Sequence, residues 1–311
     1  MAVQSQRGNT AFFAVIAVLV FMSVGPVVLM FANSFKLDVD IISGASGLIF
    51  MPTIQNYEKA LCDVLWYTPE HVDFCSLKFG GAFINSLIIA LISTMLTLVL
   101  GCMTAYALVR FQFFGRDTVS LSTLMVRMVP PAVLLVPVFG LWNNEFCIDK
   151  DSMVGSAIRE VFSGRGDVCL AGTHSGIILI YVAMNLPFVI WILQSFIVQI
   201  PRSLEEAARV DGAGPFQVFF KVVLPLIKPG LAAAAIFTFR IAWNEYLLAS
   251  ALSDRDTKTV PILIVNNMSE FNVEWGVIMA TGMLLAIPPI IFTLLASRQI
   301  ITGMTAGAVK G

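Results

Sequence analysis

The chain is 311 residues long, 58% hydrophobic and only 13% charged, with a mean hydropathy of +0.85 and a formal net charge of -1. That composition is a membrane protein's, far more apolar than an ordinary soluble domain. No Lys/Arg-rich tract supplies an electrostatic footprint for nucleic acid, so that class of partner is excluded.

Runs long enough to cross a hydrocarbon core, roughly 20 apolar residues at 1.5 Å rise each, recur along the chain near residues 10–32, 83–109, 120–142, 175–198, 226–252 and 275–296. Unpaired backbone polar groups are costly in lipid, so each run is expected to be a helix; the lengths and the lack of alternation exclude an outer-membrane barrel. The predicted fold is all-α and polytopic with six spans. It divides into an N-terminal segment and first span (1–32), an outward loop (33–82) and a five-span core (83–311) with a loop at 199–225 and a tail at 297–311. The first run ends Phe31-Ala32-Asn33-Ser34, small residues that also suit a signal cleavage site. At about 22 residues it exceeds the usual ~7–15 residue signal core, and it reads as a span.

Two sets of loops separate by charge. The N-terminus, 110–119, 199–225 and the tail carry Arg7, Arg110, Arg116, Arg202, Arg209, Lys221, Arg298 and Lys310 against Asp117, Glu205, Glu206 and Asp211. Loops 33–82, 143–174 and 253–274 are longer and carry an excess of acids. Positive-inside reasoning puts the basic set, with both termini, in the cytoplasm of a bacterial inner membrane. Cys62 with Cys75, and Cys147 with Cys169, lie in outward loops where an oxidising compartment permits two local disulfides; four free thiols is the other reading. Cys102 lies within a span.

The chemistry of an enzyme is missing. His71 and His174 are the only histidines and fall in different loops, and no C-x-x-C, H-x-x-x-H or H-E-x-x-H spacing seats a metal. There is no G-x-x-x-x-G-K-[ST] for a triphosphate and no G-x-S-x-G for a nucleophile. The expectation is a non-catalytic chain with no catalytic residue, metal or cofactor of its own, driven by a gradient or by a partner.

Ionisable groups within spans are expensive and mark candidate sites. Arg127 lies about seven residues, or ~10 Å, inside the basic end of its predicted span, where its stem can snorkel. Arg240 and Asn244 are four apart and share a helix face, whereas Glu245 lies about 140° around from Arg240. These three are candidates for a translocation pathway, with Trp243 and Tyr246 as stacking surfaces; the competing reading is interhelical pairing that locks the bundle. Prolines at 130, 131, 137, 187, 288 and 289 are expected to interrupt helices.

The stretch from Ser203 to Gly230, SLEEAARVDGAGPFQVFFKVVLPLIKPG, stands apart. Ser203 and Glu206 have capping-box spacing. Leu204, Ala207, Ala208 and Val210 give a short helix one apolar side, Gly212 is expected to end it at positive φ, and Gly214-Pro215 to start another. Its apolar side is small and Ala-rich, which suits a docking knob for a soluble protein better than a helix resting on lipid.

Glu206-Ala207-Ala208, three residues, Gly212, nine residues, Val222, one residue, Leu224-Pro225 resembles the EAA loop of permease subunits of binding-protein-dependent ABC importers, with Val222 replacing the usual isoleucine. NYEKAL at 56–61, LPFVIWIL at 186–193, WNEYLLA at 243–249 and the C-terminal GMTAGAVKG are similar to the carbohydrate-uptake branch, of the type of the maltose transporter's second permease. The regions 67–79 and 147–172 are longer than that family leads one to expect.

The resemblance implies a pairing with a second, homologous permease, two ATP-binding subunits beneath and an extracytoplasmic solute-binding protein above. Glu206, Ala207, Ala208, Gly212, Val222, Leu224 and Pro225 would then couple to the ATPase, and a sugar or polyol would enter by alternating access, with ATP used by the partner subunits. An importer of another solute, such as a polyamine or amino acid, and a self-sufficient gradient-driven carrier stay open as alternatives.

Overall fold

The computed structural model describes residues 2–44, 47, 50–65, 78–142, 147–148, 168–268 and 273–308. They belong to two compact units, Met1–Gly80 with Leu263–Ile287, and Gly81–Ile262 with Pro288–Gly311.

In the first unit, helix α1 (Ala2–Ser34) is apolar from Phe12 onward, and its membrane-length window buries nothing within the chain. A helix with no buried side is one that lipid solvates. Short α2 (Asp38–Ser43) and amphipathic α3 (Gln55–Leu65) follow. Asn56 of α3 satisfies the carbonyls left at the end of α1, its Nδ2 donating to Ser34 O at 2.9 Å and Lys36 O at 2.7 Å. Ala60 packs on Val277 with Leu263 and Leu284 around them, Lys59 pairs with Glu274 at 2.7 Å, and the Gly276 amide donates to Asp38. Gly276 must be glycine, because a Cβ there would meet Asn56 Nδ2 at 2.4 Å.

The second unit is organised around α7 (His174–Val198), which begins on Thr173, whose Oγ1 accepts from the Gly176 amide at 3.1 Å. Its buried Val189, Ile190, Leu193 and Ile197 meet Cys102, Ala105, Leu108 and Val109 of α4 (Phe79–Arg110). Phe219, Val223, Ile227 and Ala234 close the same core. At the opposite end Asn85 Nδ2 donates to the carbonyls of Asp256 and Lys258, and its Oδ1 faces His174 Nε2 at 2.8 Å. The remaining elements are α5 (Arg116–Arg127), α6 (Pro131–Gly140), α8 (Arg202–Val210), α9 (Pro215–Leu226), α10 (Lys228–Asn244) and α11 (Leu247–Leu252), with α12 (Val260–Asn266) and α13 (Trp275–Ala308) each divided between the two units.

The architecture is helical, as expected, apart from a ladder of two residues a side that sets Cys147 opposite Cys169. Among the described residues, four of the six expected spans are single membrane-length helices. The third is α5 and α6, bent by 97° at Met128–Pro130, and the fifth begins with α10, which meets α9, the helix closing the expected 199–225 loop, at a bend of 73°. Pro130 is extended (ψ 137°), as a residue preceding proline is pushed to be, which ends α5 before Pro131 starts α6. The fifth run breaks again beyond Asn244. By contrast Pro137, Pro187 and Pro288-Pro289 are carried inside α6, α7 and α13 without interruption, against expectation; neighbouring helices can re-satisfy the few backbone groups such prolines release. α13 also runs on through most of the expected tail, to Ala308.

Candidate functional site

The charged module is built as two short helices meeting at a glycine. α8 starts two residues earlier than the capping box required: its N-cap is Pro201, at φ -60° and ψ 133°, and no side chain caps it. Proline pre-sets that geometry, which puts Ser203 inside the helix at its second position rather than at the cap, so the Ser203–Glu206 box does not form. The C-terminal expectation is met. Gly212 has φ +87°, the Ala213 amide donates to Ala208 O at 2.9 Å, and the Gly212 amide donates to Arg209 O at 3.0 Å. Those two bonds make the Schellman motif. α9 then begins at Pro215 behind Gly214, whose amide donates to Gln217 Oε1 at 3.3 Å.

The side of α8 turned toward the protein is its polar one. Glu205 is 3% exposed, and its carboxylate accepts from Arg110 Nε at 2.6 Å and from the Tyr106 hydroxyl at 3.0 Å, with Arg209 at 3.9 Å. Arg110 ends α4, and its second nitrogen donates to the carbonyls of Ile197 and Ile200 at the end of α7, at 3.1 and 2.9 Å. One guanidinium therefore bonds two carbonyls at the end of α7 and anchors α8. Facing outward are Glu206, Ala207, Leu204 (46% exposed) and Val210 (87%), with Phe216 (74%) beyond the elbow. An apolar stripe on the outside of a charged helix is unpartnered surface of the kind that marks an interaction site.

Of the other motif residues, Ala208 is half-buried, Val222 and Leu224 are half-buried in and just after a π-helical turn (Phe219–Val223), and Pro225 is exposed. The extra residue of that turn precedes a proline that cannot donate within the helix. Val218, Phe219, Val223 and Ile227 carry the burial instead, so the motif's apolar positions border the core rather than fill it.

Motif reading missed Arg110, Tyr106 and Glu205. The available signal was an arginine closing an apolar run and an acid adjacent to the motif. The 95 residues between Arg110 and Glu205 hid their pairing.

Farther along the fifth run, Arg240 and Asn244 share one exposed face, and Asn244 Nδ2 donates to Arg240 O at 3.0 Å. Glu245 does not join them. It is extended (ψ 128°), and its carboxylate accepts the amides of Leu248 and Ala249, both at 2.9 Å, and the Tyr181 hydroxyl at 2.7 Å, fastening the start of α11 to α7. Trp243 is buried in a stack with Phe239, so it offers no open surface. The exposed Arg127 has its guanidinium 3.9 Å above the Phe188 ring. Cys62 is disulfide-bonded and Cys102 is a free, buried thiol; Cys75, His71 and the last residues from Val309 lie outside the described residues. Among the described residues no group of His, Cys, Asp or Glu could hold a metal ion.

Among the described residues, four membrane-length apolar helices, or six spans where each bent pair is taken as one, define a multi-pass membrane component. The chain belongs to the binding-protein-dependent transport system inner membrane component family, whose model matches residues 97–304. It is 38% identical to the trehalose transport system permease protein SugB of Mycobacterium tuberculosis (strain CDC 1551 / Oshkosh), over 75% of this chain and 78% of that one. It is 31% identical to the diacetylchitobiose uptake system permease protein DasC of Streptomyces coelicolor, over 96% of each. In fold it is similar to a chain of a bacterial ABC transporter involved in the import of the acidic polysaccharide alginate, with a TM-score of 0.68 over 95% of this chain and 97% of that one at 19% identity.

Proposed function

We propose that this chain is one of two membrane-spanning subunits of a carbohydrate ABC importer, and that α8 with its Gly212 elbow is the handle through which partner ATPase subunits work it. The observation that carries this reading is the inverted packing of α8. Its one buried charged side chain, Glu205, is clamped to the ends of two membrane helices, while Glu206, Ala207, Leu204 and Val210 are presented outward. A force applied to that outer face passes through Arg110 into α4 and α7, and through the π-helical turn into α10. The carbohydrate class is supported by relatives named for trehalose and diacetylchitobiose.

In this reading both termini and α8 face the cytoplasm, a solute-binding protein docks on the acidic side, ATP is consumed only by the partners, and this chain binds no cofactor. Val222, Leu224 and Pro225 transmit the motion, Arg240 and Asn244 face the pathway, and Glu245 holds the broken fifth span in shape. Nucleotide-driven closure exposes the pathway to one side and then the other, an alternating-access cycle.

The test is reconstitution of the complete transporter in proteoliposomes with wild type or Glu206→Lys. Wild type takes up sugar only with ATP and binding protein present, and the charge reversal abolishes uptake and retention of the ATPase subunits while the chain stays folded. Sugar uptake by this chain alone, or full uptake by Glu206→Lys, would overturn the proposal.

A further inference from the structure

Two arginines lie at membrane depth with no balancing charge among the described residues, where the ion pairs are Lys59–Glu274, Arg110–Glu205 and Arg209–Glu205. Arg127 is eleven residues beyond Arg116 along α5, and Arg240 twelve beyond Lys228 along α10, about 17 and 18 Å at 1.5 Å per residue. Phe188, ten residues before the end of α7, is about 15 Å from the same side. Counted from those helix ends rather than from the apolar run at residue 120, the three positions come to similar depths, inside a ~30 Å hydrocarbon core in either count. Glu245, the acid of that segment, is already committed to two amides and a tyrosine.

The groups are also joined in space. The Arg127 guanidinium lies 3.9 Å above Phe188, whose ring meets Phe237 edge to face at 5.8 Å. Phe237 (47% exposed), Arg240 and Asn244 recur at three and four residues on the exposed side of α10. Arginines within a membrane span face a bundle interior or a water-filled cavity, and there they mark substrate pathways. The surface is more than charge: a guanidinium plane fixed on a ring is pre-oriented for two-point recognition of a carboxylate. An exposed aromatic with a few placed polar groups is the composition of a small-molecule subsite.

We propose that Arg127, Phe188, Phe237, Arg240 and Asn244 form a solute subsite at membrane depth for a carboxylate-bearing saccharide, the guanidiniums taking the carboxylate and Phe237 the apolar face of the sugar ring. This rests on the sugar-importer reading above. The site lies next to the 97° bend of the third span, so movement at the bend would open or close it.

The test uses the complete transporter in proteoliposomes with radiolabelled digalacturonate and neutral digalactose. Wild type takes up the acidic sugar. Arg127→Gln and Arg240→Gln lower that uptake about ten- to a hundredfold, the range expected when a charge-assisted bond is lost, with assembly and unstimulated ATP hydrolysis retained and the Lys variants less affected. Uptake of digalactose indifferent to both Gln changes overturns the subsite and leaves the sugar-importer reading standing. Uptake of neither saccharide, with an amino acid or polyamine carried instead, overturns both. Gln variants that lose the second permease on purification assign the arginines to an intersubunit ion pair, which also overturns the proposal.

Discussion

Arg110 Nε stands 2.6 Å from Glu205 Oε1, both side chains at least nine-tenths buried, so the last residue of one membrane helix holds the short helix that follows another. Removing either partner strands the other's charge, at a cost of about 3–5 kcal/mol for a buried pair, whereas an apolar double replacement is far milder. Glu205→Ala and Arg110→Ala are each expected to lower the unfolding temperature of the purified transporter sharply, and Arg110→Met with Glu205→Leu to recover much of it. Arg110→Lys behaves like a loss, because an ammonium cannot reach the carboxylate and the Ile197 and Ile200 carbonyls as one planar fork does. A double-mutant cycle with no coupling energy would refute the clamp.

Gly212 adopts φ +87° with nothing within 4 Å of the position a Cβ would take, so its constraint is conformational rather than steric. Gly212→Val places a β-branched residue in the left-handed region, a penalty of about 1–2 kcal/mol, while Gly212→Asn tolerates it better. The expected outcome is reduced sugar uptake per ATP hydrolysed for Val and near-normal coupling for Asn. Equal coupling in both variants would count against the elbow.

Glu245→Ala should destabilise the permease more than Glu245→Gln, because the amide keeps an acceptor for Leu248, Ala249 or Tyr181 while alanine keeps none. An unsatisfied buried partner costs about 1–3 kcal/mol. Denaturation in detergent compares them; if Glu245→Ala matches wild type in stability yet abolishes uptake, the residue belongs to the pathway rather than to the scaffold.

The two-residue ladder sets Cys147 directly opposite Cys169. Opposed antiparallel residues have Cα separations of about 4.5–5.5 Å, inside the range a disulfide spans. Mass spectrometry of unreduced protein is expected to find Cys147 linked to Cys169 and Cys62 linked to Cys75, with Cys102 alkylated only after denaturation. Alkylation of Cys147 and Cys169 in the native protein would exclude their bridge.

The apolar runs made the spans legible, because lipid solvent demands length and hydrophobicity that any reader of the chain can count. Gly212 and Gly214-Pro215 were legible too, since positive φ and helix starts are set by local sterics. The failures were also local choices, settled by competition between neighbours. Pro201 took the cap from Ser203 by having its φ already fixed, and Pro130 broke a span that Pro187 did not.

Sequence alone determined that this chain lives in a membrane, which ends of its helices carry positive charge, and that one polar module turns at Gly212 between two short helices. Only the tertiary structure decided that Glu205, rather than Glu206, faces inward, that Glu245 is a helix cap turned away from Arg240, and that Arg127 rests on Phe188. Span and turn propensities act over a few residues. A buried pair such as Arg110–Glu205 depends on helices meeting 95 residues apart, and no local pattern encodes that meeting.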